Sequence, residues 1–114
     1  MMLKKSYLDL IPMINNDNLW ITGANDRIVI NTKRKGFVQK MGLKNFSEPK
    51  ERQLELDGYG SIVWKKIDGH KTIRDIAEEI MRELGEEREF AKQRAAMFFK
   101  MLKMHGLILF VNNN

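Results

Sequence analysis

Cysteine is absent from the 114-residue chain, which excludes disulfides, zinc knuckles and thiolate chemistry and fits a reducing compartment. Histidine is scarce: His70 and His105 stand far apart, with no second histidine or cysteine at metal-ligand spacing. No apolar run approaches the roughly 20 residues of a membrane-spanning helix. Lys4 and Lys5 precede some apolar residues at the start, but Asp9 and Pro12 interrupt them and no small-residue cleavage site follows. A signal peptide is therefore not expected, and a cytoplasmic location is. Neither a Walker nor a Rossmann glycine loop occurs. With no cofactor or metal expected, a catalyst would have to be built from carboxylates such as Asp57 and Asp68, and helix capping and turn formation account for both more simply.

What is present describes one soluble globular domain: 43% hydrophobic and 31% charged residues, with chain enough for a single core. The net charge of +5 points to an acidic partner, whether nucleic acid, anionic membrane or acidic peptide. Its distribution is uneven. Basic residues dominate 27–52, through Arg27, Lys33, Arg34, Lys35, Lys40, Lys44, Lys50 and Arg52, while acidic residues gather in 75–89.

The chain is organised around 54–80. Leu54 and Leu56 alternate with Gln53 and Glu55, the period of a half-buried strand over 52–56. Asp57 follows as the cap of a helix whose Gly60, Trp64 and Ile67 share one face with Val63 beside them, so Trp64 is a core residue. Asp68-Gly69 stops that helix. Thr72, with Asp75 three residues on, opens a second helix by a capping box in which Asp replaces Glu. Its apolar set is Ile73, Ile76, Ala77, Ile80 and Leu84, and Gly85 ends it. A third helix is predicted over 87–105, with Ala91, Ala95, Phe98 and Leu102 as its core stripe and Gly106 as its cap.

Residues 1–18 read as an N-terminal arm, with Leu8, Leu10 and Ile11 able to cover apolar surface and 15–18 forming a turn. Two short strands, 19–22 and 27–31, flank the turn-forming 23–26 and predict a hairpin. Within the 33–50 insert, Phe37, Val38, Met41 and Phe46 predict one face of a short helix. Residues 107–111 read as a closing strand or wing and 112–114 as a frayed end. The fold class expected is α+β: a winged helix-turn-helix of three helices preceded by a small three-stranded antiparallel sheet, in one domain over 19–111.

The ordered set Leu56-Asp57, Gly60-Ser61, Trp64, Ile67-Asp68-Gly69, Thr72-Ile73, Ile76-Ala77, Phe98, Leu102 and Gly106 resembles the PqqD-like family, named for a protein of pyrroloquinoline quinone biosynthesis. The likeness runs over 19–110, and Leu10-Ile11-Pro12 together with the insert beginning at Arg34 resembles a stand-alone branch of that family. The resemblance implies a non-catalytic peptide-binding module. Such a module captures the leader of a ribosomally made precursor peptide and presents it to a modifying enzyme, often a radical SAM enzyme. It also implies where the leader docks: as an added strand on the third strand of the sheet, against the third helix.

The residues support that geometry in their own right. Arg52, Gln53, Leu54 and Glu55 lie on the short strand whose edge would receive the peptide. On the third helix Arg94, Met97, Met101 and Met104 form a second stripe too apolar for an ordinary solvent face, and methionine adapts to varied apolar partners. A basic rim of Lys40, Lys44, Arg52 and Arg94 would favour an acidic leader. The rival reading is DNA binding by the winged helix-turn-helix, with Lys92, Lys100 and Lys103 on phosphates. It is disfavoured because Gln93 and Arg94 alone near the helix start are suited to reading base edges.

Overall fold

The computed structural model describes residues 6–32 and 52–111. Along the chain run β1 (Pro12–Ile14), β2 (Leu19–Thr22), β3 (Ile28–Thr32), β4 (Arg52–Glu55), α1 (Gly58–Lys66), α2 (Ile73–Leu84), α3 (Arg88–Met104) and β5 (Ile108–Phe110). This is an α+β fold in which a small antiparallel sheet precedes three helices, consistent with a winged helix-turn-helix. The expected helix with Phe37, Val38, Met41 and Phe46 lies outside the described residues.

Period-two alternation builds the three-stranded sheet β2-β3-β4. Ile28 and Ile30 turn inward and are fully buried, and Ile30 stands opposite both Trp20 and Leu54. Between β2 and β3 the chain turns through a short 3-10 segment in which Asn25 and Asp26 take positive φ (58° and 63°), a conformation the short polar side chains of Asn and Asp tolerate better than most. Ser61, at the start of α1, ties sheet to helix. Its buried hydroxyl accepts from the Ile28 N–H at 2.9 Å and donates to the Leu56 carbonyl at 3.3 Å.

Caps set the helix ends. The Asp57 carboxylate accepts from the Gly60 N–H at 2.7 Å, and the Thr72–Asp75 capping box forms in both directions. Between α1 and α2, the Asp68 carboxylate accepts from the N–H groups of His70 and Lys71, both at 2.8 Å, and Gly69 takes φ +79°. A side chain there would be strained, so this turn needs glycine. These two backbone donors hold the Asp68 carboxyl below its ordinary value.

Two expectations about the core are corrected. On α3 the buried stripe is Ala91, Ala95, Phe99 and Leu102, so Phe99 takes the central place that the spacing assigned to Phe98. Successive residues on a helix differ by about 100° in direction, and in a Phe-Phe pair packing alone decides which ring faces inward. Leu84 is exposed because α2 ends there, against Gly85 in the left-handed conformation. Trp64 is wholly buried and meets Trp20 edge-on at 6.0 Å.

The N-terminal segment is fastened at several points. Strand β1 pairs antiparallel with β5, Met13 opposite Leu109. The Leu10 carbonyl accepts from the Ile73 N–H at 3.0 Å, Asp9 meets Arg74 at 3.1 Å, and the Tyr7 ring packs edge-on against Phe110. No helix among the described residues is long and apolar enough to cross a membrane.

Candidate functional site

A groove of about 400 Å³ opens between β4 and α3. Strand β4 is an edge strand: β3 pairs with it on one side, and among the described residues no strand pairs with it on the other. Leu54, Glu55, Leu56 and Asp57 give the groove its first wall, Arg94, Phe98 and Met101 of α3 its second, and Tyr59 of α1 joins them. The spacing 94–98–101 runs along one flank of a helix, so a single element supplies the whole second wall.

Aromatic contacts hold this wall in shape. The Phe98 ring packs edge-on against Tyr59 at 5.7 Å and against Phe99 at 6.1 Å, linking groove to core. Gly60 permits that arrangement, since a Cβ there would lie 3.1 Å from both the Phe98 ring and the Asp57 carboxylate. The Arg94 guanidinium carbon sits 3.7 Å from the Tyr59 ring centroid, a cation–π contact, and Nη1 donates to Glu86 Oε2 at 2.6 Å. Its charge is thus already partnered from within the chain.

Polar capacity remains in and beside the groove. The Tyr59 hydroxyl and Glu86 Oε1 are both buried without a hydrogen-bond partner among the described residues, a costly state for groups able to bond. Burial pushes the Tyr59 hydroxyl up to about 12; Arg94 opposes that rise, and the nearby Glu86 and Asp57 carboxylates add to it.

The predicted site residues fall into three sets. Leu54, Glu55, Arg94 and Met101 come together in the groove. Gln53 is exposed on β4 but outside the lining, and Arg52 contributes the backbone of that strand. Met97 and Met104, 70% and 78% exposed, stand on α3 outside the lining. Lys40 and Lys44 lie outside the described residues. The sequence reading missed Tyr59, Phe98 and Glu86 as site residues. Phe98, one turn beyond Arg94, carried a usable signal; the Glu86–Arg94 pair carried none, because it spans a helix boundary. On the face the DNA reading would use, Lys92 lies 3.7 Å from Glu89, and Lys100 lies over the Tyr7 ring at 5.2 Å.

Among the described residues no group of three or more His, Cys, Asp or Glu could hold a metal ion. A family model described as "Coenzyme PQQ synthesis protein D (PqqD)" matches residues 46–108, more than half of the chain. The chain belongs to the PqqD family. That match takes in β4, all three helices and the start of β5, so every residue lining the groove falls within the PqqD domain. No curated protein and no solved structure matches the chain.

Proposed function

We propose that the protein is a non-catalytic peptide-binding module that takes the leader of a ribosomally made precursor peptide as an additional strand on β4 and holds it for a modifying enzyme. Membership of the PqqD family supports a peptide-recognition role in general. The observation that carries the finer reading is the β4 edge, unpaired among the described residues, beside a groove walled by Arg94, Phe98 and Met101. An edge strand offers its unused N–H and C=O groups to an extended peptide, and the groove selects among the peptide's alternate side chains. Leu54, Phe98 and Met101 suit apolar side chains, while Arg94 and the Tyr59 hydroxyl suit an acidic one. A radical SAM enzyme is the partner class that the family resemblance implies.

Amide shifts on titration with precursor peptides encoded near this gene test the proposal. Strand addition predicts shifts concentrated on Arg52–Glu55 and on 94–101. It also predicts that N-methylation of alternate peptide residues weakens binding by about 0.5–1.5 kcal/mol per lost ladder bond, while methylation between them has little effect. Methylation that is equally harmful everywhere would count against strand addition. Shifts confined to Lys92, Lys100 and Lys103, appearing with duplex DNA and not with peptide, would replace it by the DNA-binding reading.

A further inference from the structure

The sheet has a second edge, β2, at the side away from the peptide groove, and among the described residues no strand pairs with it there. Its sequence, Leu19-Trp20-Ile21-Thr22, contains neither charge nor proline. Charge and proline are two of the common guards of an edge strand, and this one has neither. Leu19 and Ile21 are 64% and 63% exposed on the outer face, and Trp20 is 40% exposed on the face that carries Ile28 and Ile30. The opposite edge, β4, carries Arg52 and Glu55.

We infer that β2 pairs antiparallel with β2 of a second copy of this chain. An uncharged strand meets no like-charge repulsion against itself, the first condition for an isologous contact. The register follows from symmetry. A two-fold axis normal to the sheet keeps both core faces on one side, so each pair must join residues of the same face. Centring the axis on Trp20 meets this condition and places Leu19 opposite Ile21 of the second copy, Ile21 opposite its Leu19, and the two Trp20 rings side by side. Val29, opposite Ile21 on β3, extends the outer apolar row inward. Centring it on Ile21 would instead set Leu19 against Gly23 and waste that row. In the pairing inferred, the two sheets become one continuous sheet with a β4 edge free at each end, so each copy keeps its own groove.

Sedimentation of the full chain from micromolar to millimolar concentration tests the inference. A concentration-dependent dimer is expected. Ile21→Lys alone and Leu19→Glu alone should each sediment as monomer, with unchanged circular dichroism and the melting temperature of the parent at dilutions where it is monomeric, since both positions are exposed. An equimolar mixture of the two variants should restore a heterodimer, because the introduced lysine of one copy then faces the introduced glutamate of the other across the axis, while the unaltered Leu19 and Ile21 meet at the other pair. A parent chain that stays monomeric throughout overturns the inference. So does a dimer that Ile21→Lys leaves intact, or a mixture that fails to associate.

Discussion

Arg94 Nη1 and Glu86 Oε2 lie 2.6 Å apart, with the Arg94 side chain 38% exposed and that of Glu86 only 13%. The cation at the groove wall is therefore held by a carboxylate from the loop before α3, and an acidic ligand residue has to compete with it. Glu86→Gln keeps a hydrogen-bond acceptor but removes the competing charge. Affinity for a peptide with an acidic residue facing Arg94 should rise about two- to fivefold, the worth of a partly exposed ion pair of roughly 0.5–1 kcal/mol. Affinity for the same peptide neutralised at that residue should stay unchanged. Calorimetric titration of both peptides against parent and variant checks this.

Gly60→Ala tests the coupling between α1 and the groove. Alanine in a helix interior gains up to about 1 kcal/mol over glycine. Against that gain, the new Cβ meets the Phe98 ring and the Asp57 carboxylate at 3.1 Å, so both must give way by a few tenths of an ångström. The two effects offset in stability, but the displaced Phe98 ring lines the groove. Melting within a few degrees of the parent, with peptide affinity reduced severalfold, is expected. Unchanged affinity would show that Phe98 does not set the groove's shape.

Local signals made most of the helical layer legible. Asp57, Thr72 with Asp75, Gly69 and Gly85 each act within a few residues of themselves, so caps and turns could be read before any tertiary structure was known. The pairing of β1 with β5 joins residues nearly a hundred positions apart and carries no local mark, so the N-terminal segment read only as an arm. The groove was half legible for the same reason. Leu54 and Arg94 announce themselves by strand alternation and helical spacing, whereas Tyr59 enters through the packing of α1 against α3. Phe98 was misassigned because its role differs from that of Phe99 only through tertiary contacts, with Gly60 and Tyr59 of α1, that leave no mark in the helical spacing.

Trp64→Ala should cost roughly 3–5 kcal/mol, because the side chain is wholly buried and no neighbour can fill the space it leaves without moving. Part of the parent's stabilisation is already offset, since the indole N–H is buried without an acceptor among the described residues. Trp64→Phe, which removes that donor and keeps an aromatic ring, should therefore be milder than a cavity of its size implies. Urea unfolding monitored by circular dichroism separates the two variants; equal losses would assign the cost to the indole's shape alone.

Tyr59 gives the protein an alkaline sensitivity with a definite sign. Its hydroxyl is raised from an ordinary value of 10.0 to about 12, first by burial, so the folded chain keeps the proton where the unfolded chain releases it. The proton linkage therefore leaves stability unchanged below pH 10 and lowers it as pH rises from there through about 12, because only the unfolded chain releases the proton in that window. Lysines titrate in the same range, so the comparison is with Tyr59→Phe under identical conditions. The parent's unfolding free energy minus that of the variant should be constant up to pH 10 and fall above it. At neutral pH the variant should be at least as stable as the parent, because it discards a buried hydroxyl that has no partner among the described residues. Bound peptide should change this behaviour if an acidic residue accepts from the Tyr59 hydroxyl, since the neutral phenol is the donor in that bond. Phenolate absorbance should then appear at higher pH in the complex than in the free protein, and a complex that titrates no higher would place the peptide's carboxylate elsewhere.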